Sequence, residues 1–118
     1  MENTHSVATI RIILNSRQVP TGKLASAEIA FSGGLLDGLR LVGFAIWKRS
    51  SGGQNVTLPS RQYLQNGQVR TFGLLQPARE NGATDRLRQM ILAEYAHTVA
   101  NERAAEPEQA DFPDLPRP

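Results

Sequence analysis

Asn66-Gly67 stands between two short runs that suit strands, Tyr63-Leu64-Gln65 and Gln68 to Leu74. Both residues accept the positive φ angles of a type I′ turn, whose twist matches that of paired strands, so the dipeptide commits this stretch to an antiparallel hairpin. The chain before it reads in the same way. Val7 to Leu14 (VATIRIIL) is β-branched and mostly period-two, and it runs into the turn residues Val19-Pro20-Thr21-Gly22. Leu24 to Phe31 alternates, with Ala25, Ala27, Ile29 and Phe31 on one face and Ser26 and Glu28 on the other. After Gly33-Gly34, Leu35 to Trp47 is β-rich and interrupted by Gly38 and Gly43, which predicts one bent strand or two joined ones. Ser50-Ser51-Gly52-Gly53 then connects to a short strand, Asn55 to Leu58, ended by Pro59.

The period changes once. Leu87, Met90, Ile91, Tyr95 and Val99 recur at spacings of three and four, which predicts an amphipathic helix with Thr84 as N-cap and Asp85 placed favourably for the dipole. Strands first and one helix last give an α+β fold: an antiparallel, curled β-sheet with one long C-terminal helix packed on its apolar face. A chain of 118 residues, 40% hydrophobic and 20% charged, fits a single domain with one modest core, expected over residues 1–101. The closing EPEQADFPDLPRP holds four of the seven prolines, at positions 107, 113, 116 and 118. Residues 102–118 are therefore expected to form a disordered, acidic, Pro-rich tail.

Several chemistries are missing their residues. Without cysteine there are no disulfides, thiolate nucleophiles or cysteine-held zinc. His5 lies in the polar N-terminus and His97 near the end of the helix, and both read as surface residues. Thr21-Gly22-Lys23 lacks the upstream glycine of a phosphate loop, since position 17 is Arg, and the glycine pairs at 33-34 and 52-53 lack dinucleotide-binding spacing. Glu28, Asp37, Glu80, Asp85 and Glu94 are scattered and suggest no acid-base pair. The expectation is a non-enzymatic protein with no catalytic residues, metal, cofactor or small-molecule substrate. Asn55-Val56-Thr57 fits a glycosylation sequon only by chance. The densest apolar region, Leu35 to Trp47, is broken by Asp37, Gly38, Arg40 and Gly43, so no membrane span is expected. Met1 to Ser6 show no basic run followed by an apolar one, and a cytoplasmic location is expected.

The net charge of +2 conceals a division along the chain. Residues 1–101 carry eleven basic side chains against six acidic ones, while residues 102–118 carry two against five. Nine of the eleven bases in the body are Arg, the side chain suited to bidentate contact with phosphate, although a general compositional drift from Lys to Arg gives the same bias. The bases gather in the sequence around the second hairpin and the helix start: Lys48, Arg49, Arg61, Arg70, Arg79, Arg86 and Arg88. Arg61 and Arg70 fall on neighbouring strands, where like charges repel unless an anion lies between them or the side chains splay into solvent. Trp47, Tyr63 and Phe72 are open to two readings, as rings that stack bases or as core residues.

Leu58-Pro59-Ser60-Arg61, Gly67-Gln68-Val69-Arg70, Gln76-Pro77 and Ile91-Leu92-Ala93-Glu94-Tyr95 occur in an order, together with ASAEIAF and Leu36 to Val42 upstream, that resembles the stage V sporulation protein G (SpoVG) family of septation proteins. The likeness runs from Leu24 to Tyr95, with Gln62 in place of a second base, Gln76 in place of a His, and a longer connection at Ser50 to Gln54. It implies a homodimer that binds DNA and/or RNA and acts in sporulation, cell division or gene regulation. Arg61 and Arg70 become the expected phosphate contacts, extended by Arg79 and Arg86 and joined by Lys48 and Arg49, with Pro59, Ser60, Asn66 and Gly67 shaping the turns. The alternative is a protein-interaction module of cell division or septation, in which the same edge or Arg cluster meets an acidic protein.

Overall fold

The computed structural model describes the backbone of residues 6–17 and 19–110 and the side chains of those through 103. Strands β1 (Val7–Leu14), β2 (Lys23–Ser32), β3 (Arg40–Lys48) and β4 (Gln54–Thr57) form an antiparallel sheet in the order β1-β2-β3-β4. Strands β5 (Ser60–Gln65) and β6 (Gln68–Gly73) pair only with each other, and helix α1 spans Ala83–Ala110. The fold is α+β, as the sequence predicts.

Strand alternation builds the core. In register, Ile10 faces Ile29, Ile12 faces Ala27 and Leu14 faces Ala25, so one face of β1 and β2 is continuously apolar. Phe44 and Ile46 of β3 and Val56 of β4 continue that face, and Ile91 of α1 is fully buried against it. The small Ala25 and Ala27 on the second strand leave room for the large Phe44, Ile46 and Ile91. Burying each of those three contributes about 1.5–3 kcal/mol. The helix backbone comes nearest to β1 and β4, the two outer strands, which is the geometry of a sheet curled around a helix. The Arg88 Nε donates to the Val56 carbonyl at 3.3 Å, tying α1 to the outer strand β4.

Four local expectations are corrected. Leu35 to Trp47 is not strand throughout, because residues 35–38 turn and β3 starts at Arg40. The Gly33 amide donates to Asp37 Oδ1 at 2.6 Å, a local bond that replaces ladder pairing, and Leu35 is left 97% exposed. The helix start is capped by Asn81, whose Oδ1 accepts from the Ala83 amide at 3.0 Å, rather than by Thr84, which lies within the first turn. Met90 is 58% exposed, off the core face of α1, since the stripe through Leu87, Ile91 and Tyr95 already fills the sheet. The helix also continues past residue 101, through Glu102 and into the segment expected as tail, as far as Ala110. Ala104, Ala105 and Glu106 are strong helix formers, and Pro107 removes one amide without ending the run. The remainder of the expected tail, residues 111–118, lies outside the described residues. Among the described residues, no helix is long and apolar enough to cross a membrane.

Candidate nucleic-acid interface

The β5–β6 ribbon owes its separation from the main sheet to two residues that meet. Pro59 has no amide to donate, so the β3–β4 ladder stops and the chain is diverted at Leu58-Pro59. Pro59 is buried against Gly43, where β3 bulges opposite β2 at a φ of +113°. A Cβ on Gly43 would stand 3.1 Å from the Pro59 Cβ, so a side chain there would press the ribbon's base outward by a few tenths of an ångström. Ser60 is the first residue of β5, paired with Gly73, and the Pro59 carbonyl accepts from the Leu74 amide at 2.9 Å to close the base.

At the far end, Asn66 and Gly67 take φ values of 54° and 76°, the positive pair required by the two-residue turn. This turn fixes the register: Gln65 faces Gln68, Leu64 faces Val69, Tyr63 faces Arg70, Gln62 faces Thr71 and Arg61 faces Phe72. Directly opposed residues share a face, so Arg61, Tyr63, Arg70 and Phe72 all lie on one side of the ribbon. They alternate as on a chequerboard. The two arginines occupy one diagonal and the two rings the other, with diagonal neighbours ~7–8 Å apart. Leu64 and Val69 lie on the opposite face. Every residue of the ribbon is exposed except the partly covered Gly73.

The arginines therefore do not oppose one another directly; each has a ring as its cross-strand partner. Among the described residues, no ion pair involves Arg61, Arg70 or Arg79, and Arg70 donates only weakly to Gln68 Oε1, at 3.4 Å. The missed signal in the sequence is an absence. From Gly38 to Arg79 there is no Asp or Glu, while Arg40, Lys48, Arg49, Arg61, Arg70 and Arg79 carry six positive charges.

The expected site residues fall into two groups. Arg79 lies on the connection from β6 to α1, which folds Leu75 to Pro77 against Ala83, Thr84 and Leu87, and Arg86 follows in the first helical turns. Arg86 is partly committed to structure, since its guanidinium donates to the Asn81 carbonyl, and Arg88 is bonded to both Val56 and Asp85. Lys48 and Arg49 sit elsewhere. Lys48 pairs with Gln54 and stands five positions along β3 from Gly43 at the ribbon's base, a span of about 16 Å. There it shares a shallow hollow with Thr21, Gly22 and Lys23, so both lysines of the chain gather at that end of the sheet.

Tyr63 and Phe72 are not core residues; they are 39% and 51% exposed. Trp47 is half-buried and donates from Nε1 to the Thr57 hydroxyl at 3.0 Å. Among the described residues, no group of three or more His, Cys, Asp or Glu side chains is placed to hold a metal ion. The buried carboxylate among the described residues is structural: Glu28, 9% exposed, lies between Arg11 at 3.8 Å and Arg40 at 3.5 Å on the face of the sheet away from the helix. No protein-family model matches the chain, and no similar curated protein or solved structure was found.

Proposed function

We propose that this protein is a homodimeric, nucleic-acid-binding regulator of the stage V sporulation protein G type, working in the cytoplasm through backbone contacts to DNA and/or RNA. The observation that carries this reading is the ribbon: two arginines on one exposed face, within a segment of the chain that holds no carboxylate. Such a surface meets a polyanion at no cost in broken ion pairs and attracts it over a distance set by screening. In this reading Arg79 and Arg86, on the connection to α1 and in its first turns, and Lys48 and Arg49, at the end of β3, supply further contacts. The role is binding rather than catalysis.

The other face of the ribbon supports the dimer in this reading. A lone two-stranded hairpin is marginal in water, and here Leu64 and Val69 are left 73% and 64% exposed. A second copy laid on that face shields both residues and leaves the Arg face outward.

The test is fluorescence anisotropy of labelled random-sequence duplex DNA, single-stranded DNA and RNA, titrated with the protein at several salt concentrations. Binding that weakens steeply as salt rises supports the reading. Absence of binding to all three at low salt contradicts it and favours the protein-interaction module, whose partner a nuclease-resistant pulldown identifies.

A further inference from the structure

The Arg face of the ribbon carries more than charge. Tyr63 and Phe72 stand on it beside Arg61 and Arg70, each ring residue opposite an arginine, and both are exposed, at 39% and 51%. An exposed ring pair costs a soluble surface something and gains nothing from duplex nucleic acid, whose bases already stack on one another. It gains a good deal from unpaired bases, which offer their π-faces to any ring within reach.

We propose that this face is a platform for single-stranded nucleic acid, in which successive bases stack on Tyr63 and Phe72 while Arg61 and Arg70 hold the intervening phosphates. The inference rests on the nucleic-acid reading above and narrows it to unpaired strands. The chequerboard supplies the geometry: rings on one diagonal and cations on the other place a base site next to a phosphate site in both directions along the ribbon. Gln65 and Gln68, paired at the tip on the same face, add side-chain amides that both donate and accept, as base edges require. The stacking and phosphate contacts distinguish no sequence, so binding through them is sequence-tolerant. A neutral or basic protein fits this face poorly, because two guanidinium groups without an ion pair among the described residues flank both rings and only an anionic partner compensates them.

The experiment is anisotropy with two probes, a fluorescein-labelled single strand of about fifteen deoxythymidines and a labelled random-sequence duplex of similar length. The protein is compared with the double variants Tyr63→Ala/Phe72→Ala and Tyr63→Leu/Phe72→Leu, their folding checked by circular dichroism and their oligomeric state by sedimentation. The leucine pair keeps apolar bulk and strand preference but has no π-face. The expected result is that the parent protein prefers the single strand, and that both variants lose about tenfold or more of that affinity while duplex affinity changes by less than about twofold. The proposal is overturned if the leucine variant binds the single strand as well as the parent, if both probes lose affinity equally, or if the folded variants become monomeric. If the parent binds neither probe at low salt, the broader nucleic-acid reading falls too; if it binds both through Arg61 and Arg70 with silent rings, only the stacking platform falls.

Discussion

Tyr63 and Arg70 are direct cross-strand partners on the β5–β6 ribbon, with Arg61 and Phe72 the next pair toward its base on the same face. The relationship depends on a turn of two residues. Adding or removing one residue at Asn66-Gly67 would send one strand's side chains to the other face and separate the rings from the cations. The placement of these four side chains on one face is thus set by the Asn66-Gly67 turn.

Gly67→Val tests that dependence. Its φ of 76° is poorly tolerated by a β-branched residue, and a Cβ there meets nothing within 4 Å, so the effect comes from backbone strain alone. The expected outcome is a ribbon destabilised by about 1–2 kcal/mol, seen as faster amide exchange in β5 and β6, with exchange of the β2 and β3 core amides unchanged.

Gly43→Ala should be costlier than Gly38→Ala. Both glycines have positive φ, but only at Gly43 does the added Cβ meet a neighbour, the buried Pro59 at 3.1 Å. Urea unfolding followed by fluorescence of Trp47, the one tryptophan, is expected to show a loss of about 1–3 kcal/mol for Gly43→Ala and a smaller loss for Gly38→Ala. Equal losses would mean that Pro59 does not seat the ribbon against β3.

The helix face is tested by neighbouring residues. Ile91 is fully buried and Met90 is 58% exposed, so Ile91→Ala is expected to cost about 2–5 kcal/mol by leaving a cavity. Met90→Ala should stay within about 0.5 kcal/mol of the parent in the same measurement.

Glu28 lies between two guanidinium groups on the sheet's other face, and its own side chain is only 11% exposed. Glu28→Gln keeps the shape but leaves Arg11 and Arg40 facing each other across β2 without a carboxylate. A loss of about 1–3 kcal/mol in urea unfolding is expected, with part of it recovered in high salt, which screens the two arginines because they are more than half exposed.

Much of this architecture was legible in the residues, for physical reasons that differ by element. Asn66-Gly67 announces its turn because few other residues accept two positive φ angles in succession, and Val7 to Leu14 announces a strand because β-branched side chains alternate. Counting outward from the turn would also have given the pairing of Arg61 with Phe72 and of Tyr63 with Arg70. What the sequence could not reveal was exposure. Nothing local distinguishes Tyr63 and Phe72 from core rings, since their exposure follows from Pro59 turning the ribbon away from the sheet. Closeness in sequence likewise does not place Lys48 and Arg49 in space: Lys48 ends β3 opposite Gln54, beside Thr21 to Lys23, which the local pattern could not show. The helix start was misread because Asn81, a side chain two residues before the helix, outcompetes the hydroxyl of Thr84.

The most direct test of the central claim is the salt dependence of nucleic-acid affinity for the parent protein, Arg61→Ala, Arg70→Ala and the double variant. Each phosphate contact contributes a fixed increment to the slope of log affinity against log salt, so each single variant is expected to flatten it by roughly one and the double by roughly two. Slopes identical to the parent in all three variants would place the nucleic acid elsewhere and contradict the assignment of the β5–β6 ribbon as its binding surface.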